Sequence, residues 1–170
     1  MTVIKLAVLA VWAGHVPFGA FAAEWPVLRT CEGEDLRRVK MPLGGIGTGT
    51  ISLSGRGSLV DWGLKSRPDK GYVSHHGSFA PHFAVRCCRP GAAPDVRLLE
   101  GPLLPEEYEG AEGCAVPNHG LPRFRSAAFD AAYPFATVRL SGKTLPPEVR
   151  LEAMNPLVPG DAEASGIQRR

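Results

Sequence analysis

Apolar and polar residues alternate along several short segments of this chain, and the clearest alternation runs from Glu148 to Met154. Successive side chains of a strand point to opposite faces, so this pattern predicts a strand with one buried side and one solvent-facing side. Two further alternating segments, Thr50–Ser54 and Leu59–Trp62, flank the turn sequence Ser-Gly-Arg-Gly-Ser. This arrangement predicts an antiparallel hairpin.

Other segments repeat this pattern of short strands separated by turn residues. Strands are predicted over Phe79–Cys88 and Asp95–Glu100, joined by the Pro- and Gly-rich hairpin loop Arg89–Pro94. The segment Phe124–Arg139 predicts two strands with a bend at Pro134, because proline is disfavoured inside a sheet. Turn signals recur roughly every 8–12 residues, which favours an all-β fold, an antiparallel β-sandwich.

Three segments carry no strand pattern. Glu32–Arg38 places acids before bases and allows one helical turn, although a solvated arm is the preferred interpretation. The stretch 101–122 is long and rich in proline, and predicts a surface excursion that is functional or packed on a neighbour. The tail Asp161–Arg170 shows no pattern typical of a core element.

The glycine-rich string Gly44–Gly49 first suggests a phosphate-binding loop. A dinucleotide fingerprint needs the spacing G-x-G-x-x-G between a strand and a helix, whereas this string follows a charged segment that ends in Pro42 and precedes a predicted strand. No Gly-Lys-Ser/Thr follows, so the sequence does not match a P-loop either. The sequence therefore predicts a tight backbone corner that holds no ligand.

Composition narrows the function classes. The hydrophobic content of 44% and the charged content of 21% are ordinary for a globular protein of 170 residues. A net charge of +2, with no basic cluster interleaved with aromatics, argues against nucleic acid as a partner. The 20 glycines and 16 prolines favour turns and short strands over long helices.

Residues 1–22 have the order typical of a secretory signal peptide: Lys5, an apolar run, and small residues before a cleavage site at Ala22 and Ala23. The alternatives are an apolar first strand of the domain or a misassigned start. A signal peptide predicts export, to the periplasm or outside the cell. The apolar run is too short to span a bilayer, and no later segment predicts a transmembrane helix.

Histidines and cysteines are the residues that could ligate a metal or form cross-links. The histidines at positions 75, 76, 82 and 119 match no zinc-binding spacing, so no metal or other cofactor is expected. In an exported chain four cysteines permit disulfides, and the sequence favours one bridge or none without indicating connectivity. These cysteines are Cys31, Cys87, Cys88 and Cys114.

Several ordered blocks resemble one enzyme family over about Trp25–Ile167. The blocks are PLGGIGTGTISLSGRGSLVDW with RPDKG, LLEGP, GLPRFR, YPFA and LEAMNPLVP. They are similar to the N-terminal domain of glycoside hydrolase family 116, the non-lysosomal glucosylceramidases and related bacterial β-glucosidases. Two departures are Gly63, where the family usually has glutamate, and Gln168, where it usually has proline and then another strand.

The resemblance implies that residues 23–170 are part of an N-terminal β-sandwich that lacks its last strands and the (α/α)6 catalytic barrel that follows. In the family the nucleophilic glutamate and the aspartate acid/base lie in that barrel, so no residue here inherits a catalytic role. The implied partner is the missing catalytic domain, and the implied substrate is a β-glucoside or a glucosylceramide-like sugar.

Two functions remain open at this point. The first is a non-catalytic β-sandwich that packs on the catalytic barrel and supports it. The second is a stand-alone carbohydrate-binding or scaffold module, with Trp62, Tyr72 and the 101–122 loop as candidate sugar contacts. An aromatic ring can stack on the apolar face of a sugar, which is why these two side chains are singled out.

Overall fold

The computed structural model describes residues 4–7, 27–44, 49–63, 81–109, 114, 116–143 and 148–167, the first four by backbone alone. The strands in these ranges are β1 Ile4–Ala7, β2 Arg29–Glu32, β3 Lys40–Leu43, β4 Thr50–Ser54, β5 Leu59–Gly63, β6 Ala84–Cys87, β7 Asp95–Leu98, β8 Ser126–Ala132, β9 Phe135–Ser141 and β10 Glu148–Met154. The helices are two short 3₁₀ helices, Gly33–Arg37 and Pro105–Glu107, and α1, Ala162–Ile167.

The strands form three sheets. The largest has the order β1-β10-β9-β8-β2, in which β1 pairs in parallel with β10 and every other pair is antiparallel. A three-stranded sheet has the order β3-β4-β5, and β6 and β7 form a two-stranded hairpin. The predicted all-β, sandwich-like fold is confirmed.

The core lies on one face of the five-stranded sheet, and the alternation in the sequence decides which face. In β10 the buried residues are Val149, Leu151 and Ala153, and the register places them opposite Leu140, Val138 and Ala136 of β9. The intervening residues of both strands point to the other face, which is called the outer face below. The alternation predicted over Glu148–Met154 is therefore confirmed residue by residue.

The second layer covers that buried face. Met41 of β3 and Leu53 of β4 belong to the same buried cluster as the core residues of β8, β9 and β10. Phe124, which is 1% exposed, and Leu99 join the same cluster. Full burial of one such side chain contributes about 1.5–3 kcal/mol, so the packing between the layers stabilises the fold.

A buried asparagine ties the two layers together at one end. Asn155 directly follows β10, and its Nδ2 donates to the carbonyl of Pro42 in β3 at 2.9 Å. Its Oδ1 accepts from the Leu157 N–H at 2.8 Å, and its own N–H donates to the Pro134 carbonyl at 2.8 Å. These three bonds fix how β10 leaves the sheet.

Three expectations from the sequence are wrong. A strand, β3, does precede the glycine string. The segment interpreted as a solvated arm forms the 3₁₀ helix Gly33–Arg37, because Leu36 turns inward and is 5% exposed. The tail without a core pattern contains α1, in which Ser165 is fully buried.

Other expectations hold or fall outside the described residues. β4 begins as a strand at Thr50, as predicted, and the bend at Pro134 separates β8 from β9. Residues 45–48 of the glycine string lie outside the described ranges. β1 lies inside the predicted signal peptide and matches the alternative of an apolar first strand. Ala22 and Ala23 lie outside the described residues, so the signal peptide stays a prediction.

Candidate functional site: the bulge in strand β5

Among the described residues β5 lies at the edge of its sheet, and it carries a β-bulge at the candidate sugar contact. Thr50 pairs with Gly63 and Ser52 pairs with Val60, so Asp61 and Trp62 together lie opposite the single residue Ile51. Asp61 has φ of 57°, in the left-handed region that a residue with a side chain seldom adopts. Bulges and strained backbone of this kind concentrate next to binding sites, where they redirect a side chain.

An ion pair holds the bulge. Lys40 Nζ, on β3, lies 2.9 Å from Asp61 Oδ1, and the Asp61 side chain is only 14% exposed. The pair joins the two outer strands of the three-stranded sheet. Its place between packed strands favours a structural role for the Asp61 carboxylate.

Trp62 is half-buried, and its indole N–H donates to the Leu59 carbonyl at 3.0 Å. This bond occupies the polar group of the ring within its own strand. What remains for a ligand is the aromatic face, which suits stacking on a sugar better than hydrogen bonding to it. Tyr72, the second aromatic candidate, lies outside the described residues, so its role as a sugar contact stays a prediction.

The loop after β7 is organised by two arginines that the sequence did not single out. Arg56, in the turn between β4 and β5, pairs with the Glu107 carboxylate, and both side chains are largely buried, at 16% and 10% exposed. Glu107 also accepts from the Leu104 N–H at 2.8 Å. Two adjacent acids in a proline-bounded loop are expected to be solvated, but Glu107 is not, because Arg56 reaches it from a distant turn.

Arg123 holds the later part of the loop. Its side chain is 6% exposed, and its Nε donates to Glu100 Oε2 at 3.2 Å. The remaining guanidinium N–H groups donate to carbonyls at 3.0–3.2 Å, those of Pro117, Asn118, His119 and Leu121. The backbone of residues 117–121 is therefore held on its own domain by this side chain. In the sequence, only the block GLPRFR, which contains Arg123, drew attention to this residue.

A groove of about 380 Å³ opens between the 3₁₀ helix Gly33–Arg37 and the nearby ends of β8, β9 and β10. Four arginines line it, Arg37, Arg56, Arg125 and Arg139. Three of them pair with carboxylates, those of Glu106, Glu107 and Asp130. Most of the positive charge that lines the groove is therefore neutralised by neighbouring carboxylates.

The outer face of the five-stranded sheet carries a polar network centred on Asp130. Arg139 donates to both carboxylate oxygens, at 2.7 and 3.1 Å, and Thr30 Oγ1 donates to Oδ1 at 2.7 Å. Burial alone would raise the pKa of Asp130, but these hydrogen bonds and the charge of Arg139 outweigh it and lower that pKa. The same hydrogen bond to Asp130 raises the pKa of Arg139.

The other candidate ligands do not converge. His82 Nδ1 lies 3.3 Å from Asn118 Nδ2 and His119 Nδ1 lies 3.2 Å from the Val116 carbonyl, while positions 75 and 76 lie outside the described ranges. All four cysteines have free thiols. Within the described ranges no group of three histidine, cysteine or acidic side chains is placed to hold a metal ion. No helix in those ranges has the length and hydrophobicity needed to cross a membrane.

Comparison with models of known protein families identifies the domain to which these residues belong. The family model described as "beta-glucosidase 2, glycosyl-hydrolase family 116 N-term" matches residues 40–167. The match runs from β3 to α1 and includes the β5 bulge, the loop held by Arg56 and Arg123, and both layers of the core. Comparison with curated proteins gave no significant match.

Proposed function

We propose that this chain, which belongs to glycosyl-hydrolase family 116, is the non-catalytic N-terminal β-sandwich portion of a retaining β-glucosidase or glucosylceramidase-type enzyme. Its role is to pack on the catalytic domain of that enzyme and support it. The observation that carries the proposal is the family match over 40–167, which covers the strands of both sandwich layers from β3 onward.

The use of the acidic side chains supports a structural role. Retaining glycosidases need two carboxyl groups about 5–5.5 Å apart, free to act on the scissile bond. Here Asp61, Glu106 and Glu107 each lie in an ion pair, with Lys40, Arg37 and Arg56 respectively. Their charges are used to hold strands and loops in place.

The test uses an aryl β-glucoside as substrate. We expect the chain alone to give no turnover above the blank. Added to a separately produced family 116 catalytic domain, it should raise the melting temperature of that domain by several degrees, because binding to the folded state stabilises it. Turnover by the chain alone would refute the non-catalytic assignment, and an unchanged melting temperature would refute the supporting role.

A second candidate function is a carbohydrate-binding module, and the observation that favours it is the aromatic face of Trp62 on the strained bulge. Titration with glucose or cellobiose, followed by calorimetry or chemical shifts, should then give a response that Trp62→Ala abolishes and Trp62→Phe partly keeps. Tyr72→Ala should weaken the same response. A wild-type chain that shows no response removes this candidate.

Export is also part of the proposal, on the basis of the predicted signal peptide. Expression of the chain with its natural N-terminus, followed by N-terminal sequencing of the exported product, should find a mature end at Ala23. A product that keeps Met1 inside the cell would favour the alternative in which β1 belongs to the folded domain.

A further inference from the structure

The groove beside the 3₁₀ helix Gly33–Arg37 has short side chains along part of its floor. Ser126 of β8 lies opposite Ser141 of β9, and Ser141 lies opposite Glu148 of β10. All three line the groove, and the two serine Oγ atoms bond to each other at 2.5 Å. Because serine is small, this row of the outer face is low over β8 and β9 and leaves a trough.

The next row of the outer face deepens the trough. Ala128 of β8 pairs with Glu32 of β2 on one side and with Arg139 of β9 on the other, and all three line the groove. Strands two positions apart in a sheet are separated by about 10 Å. The alanine therefore lies between a carboxylate on one side of the trough and a guanidinium on the other.

Part of the groove wall is apolar. Pro102 and Leu104, in the segment after β7, line the groove and are half-buried, and Leu36 lines it from the 3₁₀ helix. A concave site with apolar walls and a few polar groups is the usual composition of a small-molecule site. The groove volume of about 380 Å³ lies within the range of about 300–1,000 Å³ that such sites have.

One charge of each sign remains available in the groove. Arg125 and Glu32 are exposed, and within the described ranges neither side chain forms an ion pair. The other lining charges are already paired, those of the three remaining arginines and that of Glu148, whose Oε1 lies 2.9 Å from Arg150 Nε. The net charge that the groove offers to a ligand is therefore close to zero.

This balance of charge selects among ligands. An anion would be attracted by Arg125 and repelled by Glu32, and a cation would meet the reverse. A neutral ligand with several hydroxyl groups is able to use both, because a hydroxyl donates to a carboxylate and accepts from a guanidinium. The serine hydroxyls both donate and accept as well. A pyranose ring combines a rim of hydroxyl groups with apolar C–H faces that suit the apolar part of the wall.

We propose that this groove binds a neutral sugar in pyranose form. Arg125, Glu32 and Ser126 supply the polar contacts, and Pro102 and Leu104 pack against the ring. The site is separate from the bulge in β5, since Trp62 does not line the groove. The inference goes beyond the supporting role proposed for the domain and does not depend on it.

The experiment titrates the full chain with methyl β-glucoside and follows backbone amide chemical shifts by NMR. The shifts should gather at Ser126, Ser141 and the 3₁₀ helix Gly33–Arg37. Arg125→Ala and Ser126→Val should each weaken binding at least about fivefold, because the first removes a charged hydrogen-bond donor and the second removes a hydroxyl and adds bulk to the floor. Added NaCl should leave the affinity unchanged, since the ligand is neutral.

The matched control is Arg38→Ala. Arg38 is exposed and its side chain forms no ion pair within the described residues, as for Arg125, but it does not line the groove. This variant and Trp62→Ala should both bind the sugar as well as the unmodified chain. Circular dichroism checks that each variant folds, and if Ser126→Val does not fold, Arg125→Ala alone decides.

Four results would overturn the proposal. They are no saturable response to the sugar, equal binding by the two groove variants and the control, loss of the response in Trp62→Ala, and a stronger response to sodium sulfate or to glycine than to the sugar. The third would place the sugar on the β5 bulge, and the fourth would assign the groove to a charged ligand. None of them bears on the supporting role, which the melting temperature of the catalytic domain tests.

Discussion

Two hairpin turns of this molecule both contain glycine at a left-handed φ, but their surroundings are opposite. The β4–β5 turn, Ser54–Ser58, carries Gly55 and Gly57, and the β6–β7 turn, Arg89–Pro94, carries Gly91. A Cβ at Gly57 would lie 2.7 Å from the Leu99 carbonyl oxygen and 2.9 Å from Leu151 Cδ1, whereas a Cβ at Gly91 would meet nothing within 4 Å. The first turn, called the wedged turn below, packs closely against the rest of the domain. The second turn leaves free space around its glycine.

Comparing the two turns separates two reasons why a position requires glycine, a left-handed backbone and close neighbouring atoms. Gly57 has φ of 98° and close neighbours, and Gly91 has φ of 75° without neighbours. Gly55 has close neighbours without a left-handed φ, and Gly120 has neither. These four positions therefore allow backbone strain and steric contact to be measured independently, by one kind of substitution in one protein.

The largest effect is expected for Gly57→Ala, because strain and contact act together there. The substitution should lower the free energy of unfolding by about 4 kcal/mol. Urea unfolding followed by circular dichroism measures it. A loss below about 1 kcal/mol would show that the turn moves away from Leu99 at little cost, and the comparison would then fail.

Gly55→Ala isolates the contact. A Cβ there would lie 2.5 Å from the Leu36 carbonyl oxygen and 2.9 Å from Leu36 Cα, which are backbone atoms that cannot rotate away. We expect a loss of about 2–3 kcal/mol by the same urea measurement. A neutral result would mean that the 3₁₀ helix Gly33–Arg37 is free to shift.

Arg56→Met tests whether the wedged turn also holds the loop after β7. The change keeps the apolar stem and leaves the buried Glu107 carboxylate without its cation, so stability should fall by about 2 kcal/mol. Adding Glu107→Gln should recover part of the loss, since the uncompensated charge is then gone. If the double variant is as unstable as the sum of the two single variants, the ion pair contributes nothing through direct coupling.

Gly91→Ala isolates backbone strain in open space. The expected loss is about 1 kcal/mol, the cost of a left-handed residue with a side chain. Gly120→Ala is its control and should change stability by less than about 0.5 kcal/mol. A Gly91 variant as unstable as the Gly57 variant would erase the distinction between the two turns.

The smallest effect is expected on the half-exposed outer face, whose surroundings are intermediate between those of the two turns. Asp130→Asn should cost about 0.5 kcal/mol at neutral pH. The folded pKa of Asp130 lies below its ordinary value of 3.8, so its contribution is present above that value and is lost as the pH falls through the folded pKa. The stability difference between wild type and variant should therefore shrink below about pH 4 in acid titrations of the unfolding midpoint. A difference that does not shrink at all as the pH falls below the ordinary pKa of 3.8 would rule out this assignment.

Sequence patterns correctly predicted the secondary-structure elements that depend on neighbouring residues. The alternation in β10, the hairpin turn at Gly55 and Gly57, and the bend at Pro134 each follow from side chains within a few residues of one another. Leu36 was misjudged because one apolar residue among charged neighbours shows no periodicity, and its burial depends on the β4–β5 turn that packs against it.

The candidate site also depends on contacts between distant residues, which local sequence patterns do not predict. The sequence singled out Trp62 as an aromatic contact, but the bulge that positions it results from the pairing of β4 with β5. The Arg56–Glu107 pair joins positions 51 residues apart. Arg123 donates hydrogen bonds to backbone carbonyls, a group that every residue has. No pattern along the chain distinguishes these groups from solvated ones.

By itself the sequence determined the all-β class, most of the strands and, through ordered blocks from Pro42 to Pro159, the family. These depend on side-chain periodicity and turn chemistry, which are written into neighbouring residues. Only the tertiary structure decided which glycines are wedged, which charges are buried and which side chains line the groove. Those properties depend on which distant segments approach one another, and approach in space is set by the packing of the whole domain.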